Sequence, residues 1–194
     1  MSPVRGLLAL ISEIEELYGS QQTVNQHAVA TECARLRAWS VRVQHKRELC
    51  VRDADLLDAR LTYLSSVLVG NWLAILFDDS VDAIFAKGSN IIATVHLHAL
   101  RSKFSDVVLQ LRQQGHDTHS LDALVARMRA IEHELELSAE DVLEYPALQS
   151  LNLTVSLKLT ELLEELAKVS PTNTQFHGLC ADLCNIQQRL ALDQ

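Results

Sequence analysis

From Gln21 to Val69 the chain runs without a single proline or glycine, and the whole sequence holds only three prolines and six glycines. That scarcity restricts the fold more than any motif does. Proline and glycine are the strongest helix breakers and the commonest turn formers. A sandwich or barrel needs a turn signal every strand or two, so long helices are what remain. The intervening runs are rich in Leu and Ala, both good helix formers. The expected fold is therefore all-α: an elongated bundle of antiparallel, coiled-coil-like helices, about seven to eight of them. Its 194 residues suit one domain, with joints near 78–89, 115–120 and 170–173.

Apolar spacing places the helices one by one. Ser2-Pro3 supplies an N-cap and a proline at the first helical position, where its missing N–H costs nothing. Leu7, Leu10, Ile11, Ile14, Leu17 and Tyr18 then recur three and four residues apart. A second stripe, Val24, Ala28, Cys33, Leu36, Trp39 and Val43, starts near Thr23. With no breaker beyond it, one long helix is expected there, with a local irregularity at 50–55 where Asp53 and Asp55 could cap a new start. "DDS" at 78–80 reads as the end of one helix and the cap of a short one, 81–87, closed by Lys87-Gly88. Ser89 would cap the next, whose face runs from Ile91 to Leu111.

"GHDTHS" (115–120) has loop chemistry. Leu121, Leu124, Val125, Met128, Ile131 and Leu135 form another stripe, and Ser138 with Asp141 matches a capping box for a short helix. Tyr145-Pro146 interrupts the pattern. A Leu-rich helix from Ala147 to Val169 and a last one over 173–191 complete the reading, the latter opened by Thr172 and Gln175. Gly70 falls inside an apolar run and suits close approach of a neighbouring backbone.

The net charge of −8 argues against nucleic acid as a partner, since phosphate binding needs a basic face. The charge is unevenly placed. Six Lys/Arg stand against two acids from Glu32 to Arg52, and eleven acids against four Lys/Arg from Asp117 to Lys168. The seventeen residues 61–77 carry no formal charge, the lower edge of a membrane span. Thr62, Ser65, Ser66, Gly70 and Asn71 within them favour a buried core helix instead. The first apolar run, "GLLALI", is cut by "SEIEE" before it could form a secretory signal. Cys33, Cys50, Cys180 and Cys184 are thus expected as reduced thiols in an intracellular, cytoplasmic protein, with a cytoskeletal or nuclear assembly as its setting.

Asp78, Asp79 and Asp82 spell DDxxD, a pattern some all-helical isoprenoid enzymes use to hold magnesium against a diphosphate. On a helix Asp78 and Asp82 share a face, so one cation could be bridged. That chemistry also needs a second acidic motif across an apolar cavity, and none is evident. Acids in a first helical turn are explained by the helix dipole, at about 0.3–1 kcal/mol each. His96 and His98, two apart on a helix, point to different sides. His116, Asp117 and His119 could form a loop-borne metal site but lack a third strong ligand. His177, Cys180 and Cys184 lie along one side of the last helix, with Cys180 in the apolar stripe. No glycine-rich phosphate loop, paired Glu-x-x-His or nucleophile elbow occurs. No cofactor is implied.

"RLRAWSVRVQHKR" (35–47) is the most plausible charged contact surface. Arg35, Arg42 and Lys46 flank Trp39, whose ring could anchor an interface. Leu7, Ile11, Ile14, Leu148, Leu151 and Leu162 are expected seam positions for partner helices. The functional expectation is a non-catalytic helical subunit or adaptor of a larger assembly, binding other helical or coiled-coil subunits, in a hetero- or homo-oligomer, through apolar faces. The alternatives are an all-α magnesium-dependent enzyme built on the aspartates and a membrane-associated helical protein.

Overall fold

The computed structural model describes residues 3–19, 26–68, 79–138, 144–169 and 174–192. Among them are seven helices and no strands: α1 (Pro3–Gly19), α2 (Gln26–Val43), α3 (Val51–Leu68), α4 (Asp79–Gln113), α5 (His119–Ser138), α6 (Tyr145–Val169) and α7 (Thr174–Leu192). The fold is all-α, as the shortage of breakers requires. None of the described helices is long and apolar enough to cross a membrane.

The organising element is α4, 35 residues and about 52 Å long at 1.5 Å per residue. Its N-terminal half packs with α1 and α3, and α2 completes a four-helix bundle by packing on α1 and α3. Its C-terminal half packs with α5, α6 and α7 in a second bundle. Ion pairs link neighbouring helices in both. Glu15–Arg37 joins α1 to α2 and Glu32–Arg60 joins α2 to α3, while Glu134–Lys158 and Arg127–Glu161, whose positions run in opposite order, show α5 and α6 to be antiparallel. Each bundle has its own apolar core, and the two meet where Ile92 belongs to the first and Ala93 to the second. Phe104 and Phe176 meet edge to face across the second core, with ring centroids 5.7 Å apart.

Because both bundles close on it, α4 is buried on every side from Ala86 to Val95. Here the structure corrects the sequence reading. No short helix 81–87 exists, Lys87-Gly88 closes nothing, and Ser89 caps nothing; the joint expected at 78–89 is, from Asp79 onward, the start of the longest helix. The residues that suggested a turn are there because they are small or satisfied. A Cβ on Gly88 would fall well inside van der Waals contact of Leu61 Cδ1, so with glycine here the Leu61 side chain of α3 lies directly over the α4 backbone. Lys87 reaches Glu13 of α1 with two bonds of 2.8 and 2.9 Å, and the Thr94 hydroxyl donates to the Asn90 carbonyl at 2.7 Å.

A second correction concerns residues 43–51. The expected long rod stops at Val43, and a connection of seven residues, 44–50, turns the chain back before α3 starts at Val51. Neither proline nor glycine makes this turn. The Asp53 carboxylate accepts the Cys50 N–H at 3.0 Å, the reciprocal half of a capping box, and accepts Lys46 Nζ at 2.6 and 2.7 Å. The α4–α5 connection follows its expected loop chemistry. Gly115, at φ 85°, ends α4 with the His116 N–H donating to the Leu111 carbonyl and the Gly115 N–H to that of Arg112. Pro146 is accommodated in the first turn of α6, where no N–H is needed. Gly70, Asp78, Ser138 with Asp141, and Thr172 with Gln175 lie outside the described residues or have side chains outside them.

Candidate functional site

The aspartates come first. Asp79 and Asp82 occupy the opening turn of α4 and are exposed; Asp78 lies outside the described residues. Their place matches the dipole explanation. Among the described residues no three His, Cys, Asp or Glu side chains converge where they could hold a metal ion.

The histidines separate as their spacing requires. His96 Nε2 faces Asp55 of α3 at 3.4 Å, whereas His98 Nδ1 is 2.6 Å from Glu132 of α5. Glu132 is nearly buried and also accepts Arg101 Nε at 2.7 Å, so its carboxylate is committed to holding α4 and α5 together. One turn on, burial raises the Glu136 carboxyl above the ordinary carboxylate range, and the Glu132 charge adds to it. A groove of about 240 Å³ lies beside these groups and is lined as well by Pro3 and Leu49. On the other side of the molecule Arg189 donates to both oxygens of Asp58, at 2.7 and 3.0 Å, and ties α7 to α3. Grooves of about 390 and 660 Å³ flank that pair. Around these grooves His98 and Arg101 face Glu132, His96 faces Asp55 and Lys103 faces Asp182.

His116, Asp117 and His119 sit on the exposed connection, where Asp117 Oδ1 accepts the His119 N–H at 3.0 Å and caps α5. Cys33, Cys50, Cys180 and Cys184 are all free thiols. Burial raises the Cys180 thiol; for Cys33 burial acts first and the charges of Glu15 and Glu32 second. Of the His177 triplet, the His177 side chain lies outside the described residues.

The basic stretch is largely neutralised within its own bundle. Arg37 binds both oxygens of Glu15 at 2.9 and 3.0 Å, Arg35 reaches Glu32 at 3.3 Å, and Lys46 is held by Asp53. Trp39 is buried in the first core and cannot anchor an interface. Arg42 is exposed. The expected seam is corrected too. Leu7, Ile11, Ile14, Leu148 and Leu162 are buried and Leu151 is partly so, because each bundle turns its most regular apolar stripe inward.

What the sequence reading passed over is the opposite face of α6. Leu153 and Leu157, one turn apart, are 47% and 59% exposed, and both point away from the buried Val155. Pro146, Ala147, Ser150 and Thr154 share the exposed surface. Thirteen residues from Tyr145 to Leu157 carry no charge, in a chain where 22% are charged and a solvated helix of that length would hold about three. The Glu134–Lys158 pair sets the register with α5 and puts Leu137, 48% exposed, at the same level. The signal was present: an uncharged run whose outward positions are Leu rather than Lys or Glu.

The chain matches no protein-family model, and neither a curated protein nor a solved structure matches it.

Proposed function

We propose that the chain acts as a non-catalytic helical subunit or adaptor, joining partner helices through an apolar helix face. The observation that carries this reading is the outward side of α6, where Leu153 and Leu157 stand half in water at the end of the uncharged run 145–157. Leucines at i and i+4 are the usual anchors of helix-on-helix docking. Covering what remains exposed of each is worth roughly 1 kcal/mol. Large apolar groups left on a surface this way mark interaction sites more often when they cluster than when they are scattered, and Leu137 extends the cluster to α5. The charged groups elsewhere support the same reading, since Arg37, Lys46, Arg60, Lys87, Arg101 and Arg189 are engaged in ion pairs between helices of the fold.

The test is quantitative affinity capture with the wild-type chain and with Leu153→Lys/Leu157→Lys. Leu109→Lys, at an equally exposed leucine on α4, serves as control. The reading requires helical proteins that the wild type and the control retain and the double variant loses. An identical set of captured proteins for all three chains would refute it.

A further inference from the structure

We infer that the outward face shared by α2 and α3 is a second docking surface, and that its partner is an acidic helix. This face belongs to the first bundle and the leucines of α6 to the second, so the two surfaces stand or fall separately. α2 packs chiefly on α1 and α3, which leaves its far side without a neighbour among the described helices. Opposite the buried stripe Val29, Leu36, Trp39 and Val43 stand Ala30, Ala34, Ala38 and Val41, all exposed, Val41 to 55%. Arg35 and Arg42, one heptad apart, share the flank nearer α3. On the side from which Arg60 reaches Glu32, α3 adds the exposed Arg52, Ala59 and Tyr63.

Charge names the partner. From Gln26 to Arg47 the chain carries five Lys/Arg and a single acid, Glu32, which has no exposed surface. Glu32 is shared by Arg60 and Arg35, so that trio keeps a positive charge. Neither Arg42 nor Arg52 has an ion-pair partner among the described residues. The acids of α3 do not offset them: Asp53 is held by Lys46, while Asp55 and Asp58 turn the other way, to His96 and Arg189. On a molecule of net charge −8, a face without an exposed acid is where an acidic partner meets attraction instead of repulsion. The alanines along its centre let a partner helix come close. Arginines one heptad apart match carboxylates at the same spacing along that helix. A lipid surface fits less well, because no exposed Trp, Phe or Leu stands among the described residues of α2 and α3 to enter the acyl boundary.

The probe is a fluorescein-labelled, helix-forming peptide of about three heptads, with alanine and leucine on its apolar side and glutamate at the flanking positions. A counterpart carries lysine in place of each glutamate. Fluorescence anisotropy is measured with the full chain, with Arg42→Glu, with Arg35→Gln/Arg42→Gln, and with Arg129→Glu, at an exposed arginine of α5, as control. Arg42 has no internal partner to lose, so its replacement leaves the fold intact, which circular dichroism verifies. The acidic peptide should bind the wild type and the control alike and weaken as salt is raised. Its affinity should fall roughly tenfold in each α2 variant. Leu153→Lys should leave it unchanged, which separates this surface from that of α6. An acidic peptide bound no more tightly than the lysine peptide overturns the inference, as does equal binding by Arg42→Glu and wild type. Arg42-dependent flotation with phosphatidylserine vesicles, without peptide binding, would make the face a lipid-binding one and overturn it as well.

Discussion

The mid-helix glycine gives the sharpest quantitative test of how the two bundles are joined. Gly88 lies in the part of α4 that is buried all round, and a Cβ added there would collide with Leu61 Cδ1 and come within 3.6 Å of Leu10 Cδ2. Two effects oppose each other in Gly88→Ala. Helix propensity favours alanine by about 1 kcal/mol. Overpacking a closed core costs about 1–3 kcal/mol, because Leu61, itself only 5% exposed, has to leave its rotamer or push α3 outward. The net expectation is a loss of about 0–2 kcal/mol, or a few degrees in Tm for a chain of this size. The discriminating measurement is the cycle with Leu61→Ala. Alone, that change opens a cavity and costs about 2–5 kcal/mol. Combined with Gly88→Ala, the new methyl occupies part of the space, so the double variant should be more stable than the sum of the singles by about 1 kcal/mol or more. Urea unfolding followed at 222 nm gives all four values. A gain of about 1 kcal/mol for Gly88→Ala, with strict additivity, would falsify the argument: Leu61 would then move freely, and glycine would be no requirement of the crossing.

Three further outcomes are expected. Glu32 has no exposed surface and is held by Arg60 at 3.0 and 3.1 Å and by Arg35 at 3.3 Å, so Arg60→Met should cost about 2–4 kcal/mol and Glu32→Leu/Arg60→Met should recover most of it; equal urea midpoints for wild type and Arg60→Met would contradict this. Asn152→Leu keeps a branched shape of similar form and removes two unsatisfied amide atoms, so unfolding should become harder by about 1–2 kcal/mol; a comparable loss would mean that water supplies the missing bonds. The Arg189 hydrogen bonds hold the Asp58 carboxyl below the ordinary range, with burial opposing in part. A depressed carboxyl contributes stability above its unfolded value of about 3.9 and loses it as pH falls through the folded one. Asp58→Asn should therefore lower Tm at neutral pH and flatten its decline below about pH 5, and superimposable Tm–pH curves would rule this out.

By itself the sequence determined most of the local structure and which face of each helix turns inward. The stripe Leu7, Leu10, Ile11, Ile14, Tyr18 is buried as its spacing demands, and so is Leu121, Leu124, Met128, Ile131, Leu135. His96 and His98 face different helices because 200° of helical rotation separates them, a fact of the backbone alone. Helix ends that follow from local hydrogen bonding, such as Gly115 after α4, were equally legible.

Tertiary structure decided everything that depended on what lies across the contact. Gly88 and Ser89 are weak helix formers and, following the basic Lys87, read locally as a terminus; Glu13 and Leu61, far away in sequence, enclose that segment within the longest helix. The turn at 44–50 is fixed by Lys46 and Cys50 meeting Asp53, a geometry that the search for proline or glycine overlooks. Trp39 and Leu162 went to the core, while Leu153 and Leu157 stayed in water. A leucine's spacing gives its angle around its own helix, but whether another helix stands at that angle depends on how all seven pack. Propensity and periodicity act over a turn or two, whereas burial and charge pairing are settled by whichever surfaces the closed bundles bring together.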